Sequence, residues 1–195
     1  MKPALTEGQF SQKKVQKQLN NFVTGCRIPK DFFTTKGKGE SDITVHAGSY
    51  HLALKDAGIE MCNVISYSSI LPGIAREVPR PNNLVHGSVM ETITAVSTAT
   101  KGKRATAAII FGWLYDWKTG KKYGGLVCEY NGNFTEEKAG KQLRASLNEL
   151  YTNGFSEKYE LRDIKLMTES IVPKKKFGTS MVVIGFLNYV YPVIE

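Results

Sequence analysis

Two consecutive runs rich in Val, Ile, Thr and aromatic residues, 85–99 and 104–117, constrain this 195-residue chain more than any other feature. Side chains of these types fit a pleated, half-buried surface. The turn KTGKK (Lys118–Lys122) joins the second run to YGGLVCEY, which predicts a hairpin. Further strands are expected over 28–35, 61–67, 160–171 and 178–190. Pro72 and Gly73 stop the 61–67 strand, and GKGESD (Gly37–Asp42) reads as a glycine-bearing loop. Helices are expected over 46–57 and 135–151. Gly58 stands where a helix C-terminal glycine belongs. Thr135 caps the second helix, Glu136 and Glu137 occupy its first turn, Leu143, Leu147 and Leu150 form its apolar stripe, and Asn153–Gly154 ends it. The order β-α-β-β-β-β-α-β-β leaves the helices only sheet faces to cover, so the fold class is an α+β layered sandwich.

Residues 1–27 are polar and read as an N-terminal extension with a short helix near 11–22, while 28–195 form a single domain. The extension carries about half of the net charge of +8, through Lys2, Lys13, Lys14, Lys17 and Arg27 against Glu7. The other basic clusters, Lys101/Lys103/Arg104, Lys121–Lys122 and Lys174–Lys176, fall at turns and strand starts without the interleaved aromatics that stack bases. No nucleic-acid partner is expected. No apolar run approaches the roughly 18–20 residues of a membrane span, and residues 1–22 lack the apolar region of a secretory signal. The expectation is a cytoplasmic protein without a membrane partner. Cys26, Cys62 and Cys128 are too sparse for a disulfide framework and show no zinc-ligand spacing. With no carboxylate or cysteine at ligand spacing from His46 or His86, no metal is assigned.

The stretch NVISYSSILPG (Asn63–Gly73) carries the most chemistry. A strand runs straight into Ser68–Ser69 and is stopped by Pro72, which can hold a serine in a strained bend. Such a serine can attack its own peptide. Ser69 Oγ adds to the Ser68 carbonyl, an ester forms, loss of the Ser69 Cα proton expels the Ser68 carboxylate, and the dehydroalanine hydrolyses to a pyruvoyl group and ammonia. That covalent cofactor condenses with amines as an imine and accepts the electron pair released with CO2, the role PLP usually fills. Read from spacing alone, an ordinary loop serine pair fits the same residues.

Six segments in order give the chain a resemblance to the pyruvoyl-dependent arginine decarboxylases: GKGESD, YHLALKDAGIE (Tyr50–Glu60), Asn63-x-x-x-x-Ser68-Ser69-Ile70-x-Pro72, HGSVMETI (His86–Ile93), GGLVCEYNG (Gly124–Gly132) and FGTSMVVIGFLNY (Phe177–Tyr189). The resemblance implies a four-layer αββα sandwich with mostly antiparallel sheets. It also implies a homotrimer or dimer of trimers with active sites at subunit interfaces, and self-cleavage into a β chain, 1–68, and an α chain, 69–195. On this resemblance Ser69 is the pyruvoyl precursor, Ser68 ends the β chain, Asn63 assists at the cleavage site and Glu129 is the catalytic acid. The strand pleat puts Val127 and Glu129 on one face and Leu126, Cys128 and Tyr130 on the other, so a buried Cys128 face leaves Glu129 free to line a cleft.

The implied reaction takes L-arginine, a small-molecule substrate, to agmatine and CO2, serving polyamine synthesis or proton consumption in acid. One residue departs from the pattern. Where the arginine enzymes carry an aspartate able to pair with guanidinium, this chain has His51, which cannot form a bidentate pair. Asp42 and Glu40 are the acids that could substitute; otherwise the same chemistry acts on another amino acid, or His51 packs in a subunit interface. A non-catalytic basic binding module is the alternative from a different class.

Overall fold

The computed structural model describes residues 23–194. The expected helix near 11–22 lies outside them. The described residues fall into two compact units, a small one of 23–28 with 189–194 and the body, 29–188. In that unit Val23–Thr24 pairs antiparallel with Val193–Ile194, and the Arg27 guanidinium lies 5.1 Å from the Tyr189 ring centroid.

The body contains β1 (Asp31–Ser41), a helix α1 that opens as a wide π-type turn (Val45–Tyr50) and continues as regular helix (His51–Ala57), β2 (Asn63–Ser66), β3 (Ile70–Pro72), β4 (Arg76–Glu77), β5 (Val89–Thr100), β6 (Ala105–Asp116), β7 (Lys122–Gly132), α2 (Glu136–Gly154), β8 (Tyr159–Ile171) and β9 (Phe177–Phe186). One sheet has the order β2-β5-β9-β1-β4 and the other β8-β6-β7-β3. Pairing is antiparallel except at the short edges β2–β5 and β4–β1. The two long β-prone runs do become β5 and β6.

Each sheet buries one face under a helix and the other against its neighbour. Ala53 and Ala57 of α1 meet Phe33, Met90, Met181 and Val183 of the first sheet. Ala139, Leu143 and Leu147 of α2 meet Ala108, Ile110, Leu114 and Leu126 of the second. Between the sheets Phe32 packs edge-on against Phe111 and Phe186, with centroids 6.0 and 6.4 Å away. The layers are therefore αββα, as expected.

Local signals account for the helix ends. Gly58 has φ +69°, the left-handed C-terminal position that favours glycine. Thr135 accepts a hydrogen bond from the Lys138 N–H at 3.3 Å. The stripe on α2 is shifted: Leu150 is 41% exposed, and Tyr151 packs on the sheet instead, its hydroxyl donating to the Tyr159 carbonyl.

The segment Gly37–Asp42 is not a loop. β1 continues through it to Ser41, pairing with β9 from Phe32 to Ser41. The glycines are there because α1 lies directly on the strand. A Cβ at Gly37 would come within 2.3 Å of the Ala53 carbonyl oxygen, and one at Gly39 within 2.5 Å of that of Ser49. Gly37→Val is expected to lower stability by about 1–3 kcal/mol through this overpacking. An unchanged thermal midpoint would contradict so close an approach.

At the start of β1, Asp31 binds the Arg76 guanidinium and the Asn188 amide, tying β4 and the end of β9 to the sheet. These hydrogen bonds, Arg76 first, hold its carboxyl at about 2, against an ordinary 3.8. A depressed carboxylate contributes stability above its unfolded pKa and loses it as pH falls through the folded one. Asp31→Asn should therefore flatten the fall in thermal midpoint between about pH 4 and pH 2. Parallel profiles for the two proteins would argue against that contribution.

Candidate active site

The body changes sheets at the Ser-Ser pair. β2 is an edge of the first sheet, with Ser66 opposite Thr92, and β3 is an edge of the second, with Ile70 opposite Leu126. Only Tyr67, Ser68 and Ser69 cross between them. The four Cα–Cα steps from Ser66 to Ile70 reach about 13–14 Å fully extended, a little more than the usual ~10 Å spacing of stacked sheets, which leaves room for one tight turn in the crossing. It is anchored on both sides. The Tyr67 N–H donates to the Thr92 carbonyl at 2.6 Å, and its ring rests on Phe186 with centroids 5.7 Å apart. The Ile70 N–H donates to the Ser68 carbonyl at 3.1 Å, closing a tight turn centred on Ser69. Pro72, expected to end the strand pairing, belongs to β3 itself. On an edge strand its missing N–H leaves no ladder bond unmade.

Glu129 comes from the middle of β7, opposite Ile109. Leu126, Cys128 and Tyr130 turn toward α2, which leaves Val127 and Glu129 on the face toward the other sheet. There the half-buried Ser69 hydroxyl donates to Glu129 Oε1 at 2.6 Å. Burial, with the adjacent Glu129 carboxylate adding, pushes the Cys128 thiol above its ordinary value. A protonated thiol on the helix side of the strand is a poor nucleophile.

The remaining candidates lie elsewhere in the single chain. Ser68 is exposed. Asn63, at the far end of β2, donates its amide to the Gly87 carbonyl at 3.0 Å and is not brought to Ser69. His51 is exposed at the start of the regular turns of α1. Asp42 follows β1 and accepts from the Lys176 N–H at 3.0 Å. Ser41, its neighbour, shares a row of the sheet with Phe177 and Thr100. Thr100 is eight residues along β5 from Thr92, about 26 Å at strand rise. His46 is exposed and meets Tyr50 edge-on at 5.5 Å, and His86 is exposed. Among the described residues no three His, Cys, Asp or Glu side chains gather at metal-binding distance, and no helix is long and apolar enough to cross a membrane.

The family model of the pyruvoyl-dependent arginine decarboxylases matches residues 31–191. The chain belongs to the pyruvoyl-dependent arginine decarboxylase family. A protein named pyruvoyl-dependent arginine decarboxylase AaxB from Chlamydia trachomatis serovar L2 is 32% identical over 187 aligned positions, covering 85% of this chain and 94% of the relative. The protein of that name from Chlamydia abortus is 30% identical over 192 positions, with the same coverage. A pyruvoyl-dependent arginine decarboxylase from Thermoplasma volcanium is 29% identical over 159 positions, covering 74% of this chain and 85% of the relative.

Membership in a pyruvoyl-dependent family implies a pyruvoyl cofactor, and the residues at the crossing fit one. A serine hydroxyl stands beside a carboxylate, and the carbonyl before it already accepts an N–H. Reasoning from sequence missed two contributors. The Ile70 N–H is a backbone group with no signature of its own. Tyr67 does carry one, an aromatic residue at the strand end directly before Ser-Ser.

Proposed function

We propose that this chain cuts itself between Ser68 and Ser69 and, once cut, decarboxylates L-arginine to agmatine and CO2. The observation that supports this most is the 2.6 Å hydrogen bond from Ser69 Oγ to Glu129 at the short crossing between the sheets. Glu129 takes the hydroxyl proton as Ser69 Oγ adds to the Ser68 carbonyl carbon. Negative charge develops on the Ser68 oxygen, to which the Ile70 N–H already donates. The Ser68–Ser69 C–N bond breaks, the nitrogen takes a proton, and the Ser68 acyl group moves to Oγ as an ester. Removal of the Ser69 Cα proton expels the Ser68 carboxylate and leaves a dehydroalanine, which water converts to the pyruvoyl group with loss of ammonia.

The pyruvoyl group supplies an electrophilic carbonyl that takes up the electron pair freed when CO2 departs. The chain's own task in turnover is to deliver a proton to the substrate Cα, and Glu129 is the acid placed beside Ser69. Asn63 acts in this reading as a positioning residue from the other end of β2, through its hold on the Gly87 carbonyl. Groups that bind the far end of the substrate come from a second copy. Ile65 and Ile70 on the edge strands β2 and β3, and Val89 at the start of β5, are 49%, 71% and 62% exposed, and a homotrimer or pair of trimers covers them. His51 or Asp42 of a neighbouring copy then completes the site.

The exposed His51, standing where an acid is expected, favours a second reading: the same chemistry on a different amino acid. Incubation of the purified protein with a panel of amino acids separates the two. Equal molar yields of agmatine and CO2 from arginine are expected. Turnover confined to another amino acid would replace arginine as the substrate while leaving the cleavage chemistry in place.

A further inference from the structure

The end of the sandwich away from Ser69 carries an open cleft of about 590 Å³ that the decarboxylase reading does not use. Its walls include Thr98, Thr100, Lys103, Arg104, Asn133 and Phe177. That volume lies within the range of small-ligand sites, roughly 300–1,000 Å³. The β5–β6 turn puts Lys103 and Arg104 in the cleft wall; on the β8–β9 turn the Lys176 ammonium lies 5.3 Å from the ring centroid of Phe177, while Lys174 and Lys175 line a neighbouring depression with Glu40. The two turns are joined through the backbone. The Lys101 N–H donates to the Lys176 carbonyl at 3.1 Å, and the Gly102 N–H to that of Pro173 at 3.0 Å.

The nearby acids are largely engaged. Glu40 accepts from the N–H groups of Lys174 and Lys175, and Asp42 from that of Lys176. Glu169 is paired with Lys36 and Lys38. On α2, Glu136 accepts from the Thr168 hydroxyl and Glu137 pairs with Lys141. These contacts brace the turns; the neutral donors leave the charges of Glu40, Asp42 and Glu136 in place, but none of these acids lines the cleft, whose charged wall residues are Lys103 and Arg104. Arg104 is held by the Ser170 hydroxyl at 3.1 Å, so its guanidinium is partly ordered before any ligand arrives. Cations, hydroxyls, an amide and an aromatic wall together suit a compact, multiply charged anion with oxygen acceptors along its length.

We propose that this cleft binds a short polyphosphate chain, whether free or carried by a nucleotide. Lys103 and Arg104 neutralise the phosphates, and Thr98, Thr100 and Asn133 donate to their oxygens. Within one chain its nearest wall on β5, Thr98, is six residues from Thr92, about 20 Å at strand rise, and its occupancy is read directly by binding.

Isothermal titration of the full chain with inorganic triphosphate, ATP and adenosine tests this at about 0.15 M salt, where isolated surface charges are largely screened. Saturable binding of triphosphate is expected, with none of adenosine. ATP binding tighter than triphosphate assigns the ligand to a nucleotide, with the base against Phe177; equal affinities assign it to the phosphate chain alone. Lys103→Ser, at an exposed position, should weaken binding about tenfold, the usual loss for one charge-assisted contact. Arg104→Lys keeps the charge but loses the fork and should also weaken it. The double variant Lys118→Ala/Lys121→Ala, at the turn between β6 and β7, should leave it unchanged. Absence of saturable binding, or equal weakening by the Lys118/Lys121 variant, would overturn the proposal.

Discussion

Replacing Ser69 with alanine is expected to leave one uncut chain of 195 residues with no decarboxylase activity. Alanine has no oxygen to attack the Ser68 carbonyl, so no ester forms and no elimination can follow. The fold should survive, because Ser69 is only half-buried and, among the described residues, its side chain bonds Glu129. Loss of the cofactor removes the whole catalysed rate, commonly a factor of about 10⁶ or more. Gel electrophoresis under denaturing conditions and CO2 release check both parts. Residual turnover by an uncut Ser69→Ala chain would show that the electron sink does not come from this serine.

Glu129→Gln should slow cleavage and lower kcat by about 10²–10⁴, the usual contribution of a positioned acid or base. Glutamine still accepts the Ser69 hydroxyl hydrogen bond but cannot take or return a proton. KM should change less than kcat, because the lost interaction belongs to the transition state. The two roles are separable: cleavage is followed as the rate of chain scission, and turnover is expressed per mole of pyruvoyl group formed. A variant that cleaves slowly yet turns over normally once cut would confine Glu129 to processing.

The parts of the fold that the sequence made legible are those set by neighbours in the chain. The β-branched runs that become β5 and β6, the glycine ending α1 and the threonine capping α2 each carry their signal within a few residues. The glycine segment 37–42 misled because glycine marks both turns and close approach, and only the placement of α1 over Gly37 and Gly39 distinguishes them. The site was visible as a resemblance more than as chemistry. Ser69 and Glu129 are 60 residues apart, and no local pattern says that β3 and β7 will lie side by side. The same resemblance implied an assisting role for Asn63, while the fold puts its amide on the Gly87 carbonyl. Asp42 follows the row of Ser41, Phe177 and Thr100, far along β5 from Thr92, and His51 is exposed on α1. The ion pair of Asp31 with Arg76 joins residues 45 apart and could not be read in advance.

The intact mass of the purified protein under denaturing conditions tests self-cleavage most directly. The account predicts two species, one matching residues 1–68 and the other matching 69–195 with a pyruvoyl group in place of Ser69. A single full-length species that stays uncut on prolonged incubation would contradict it.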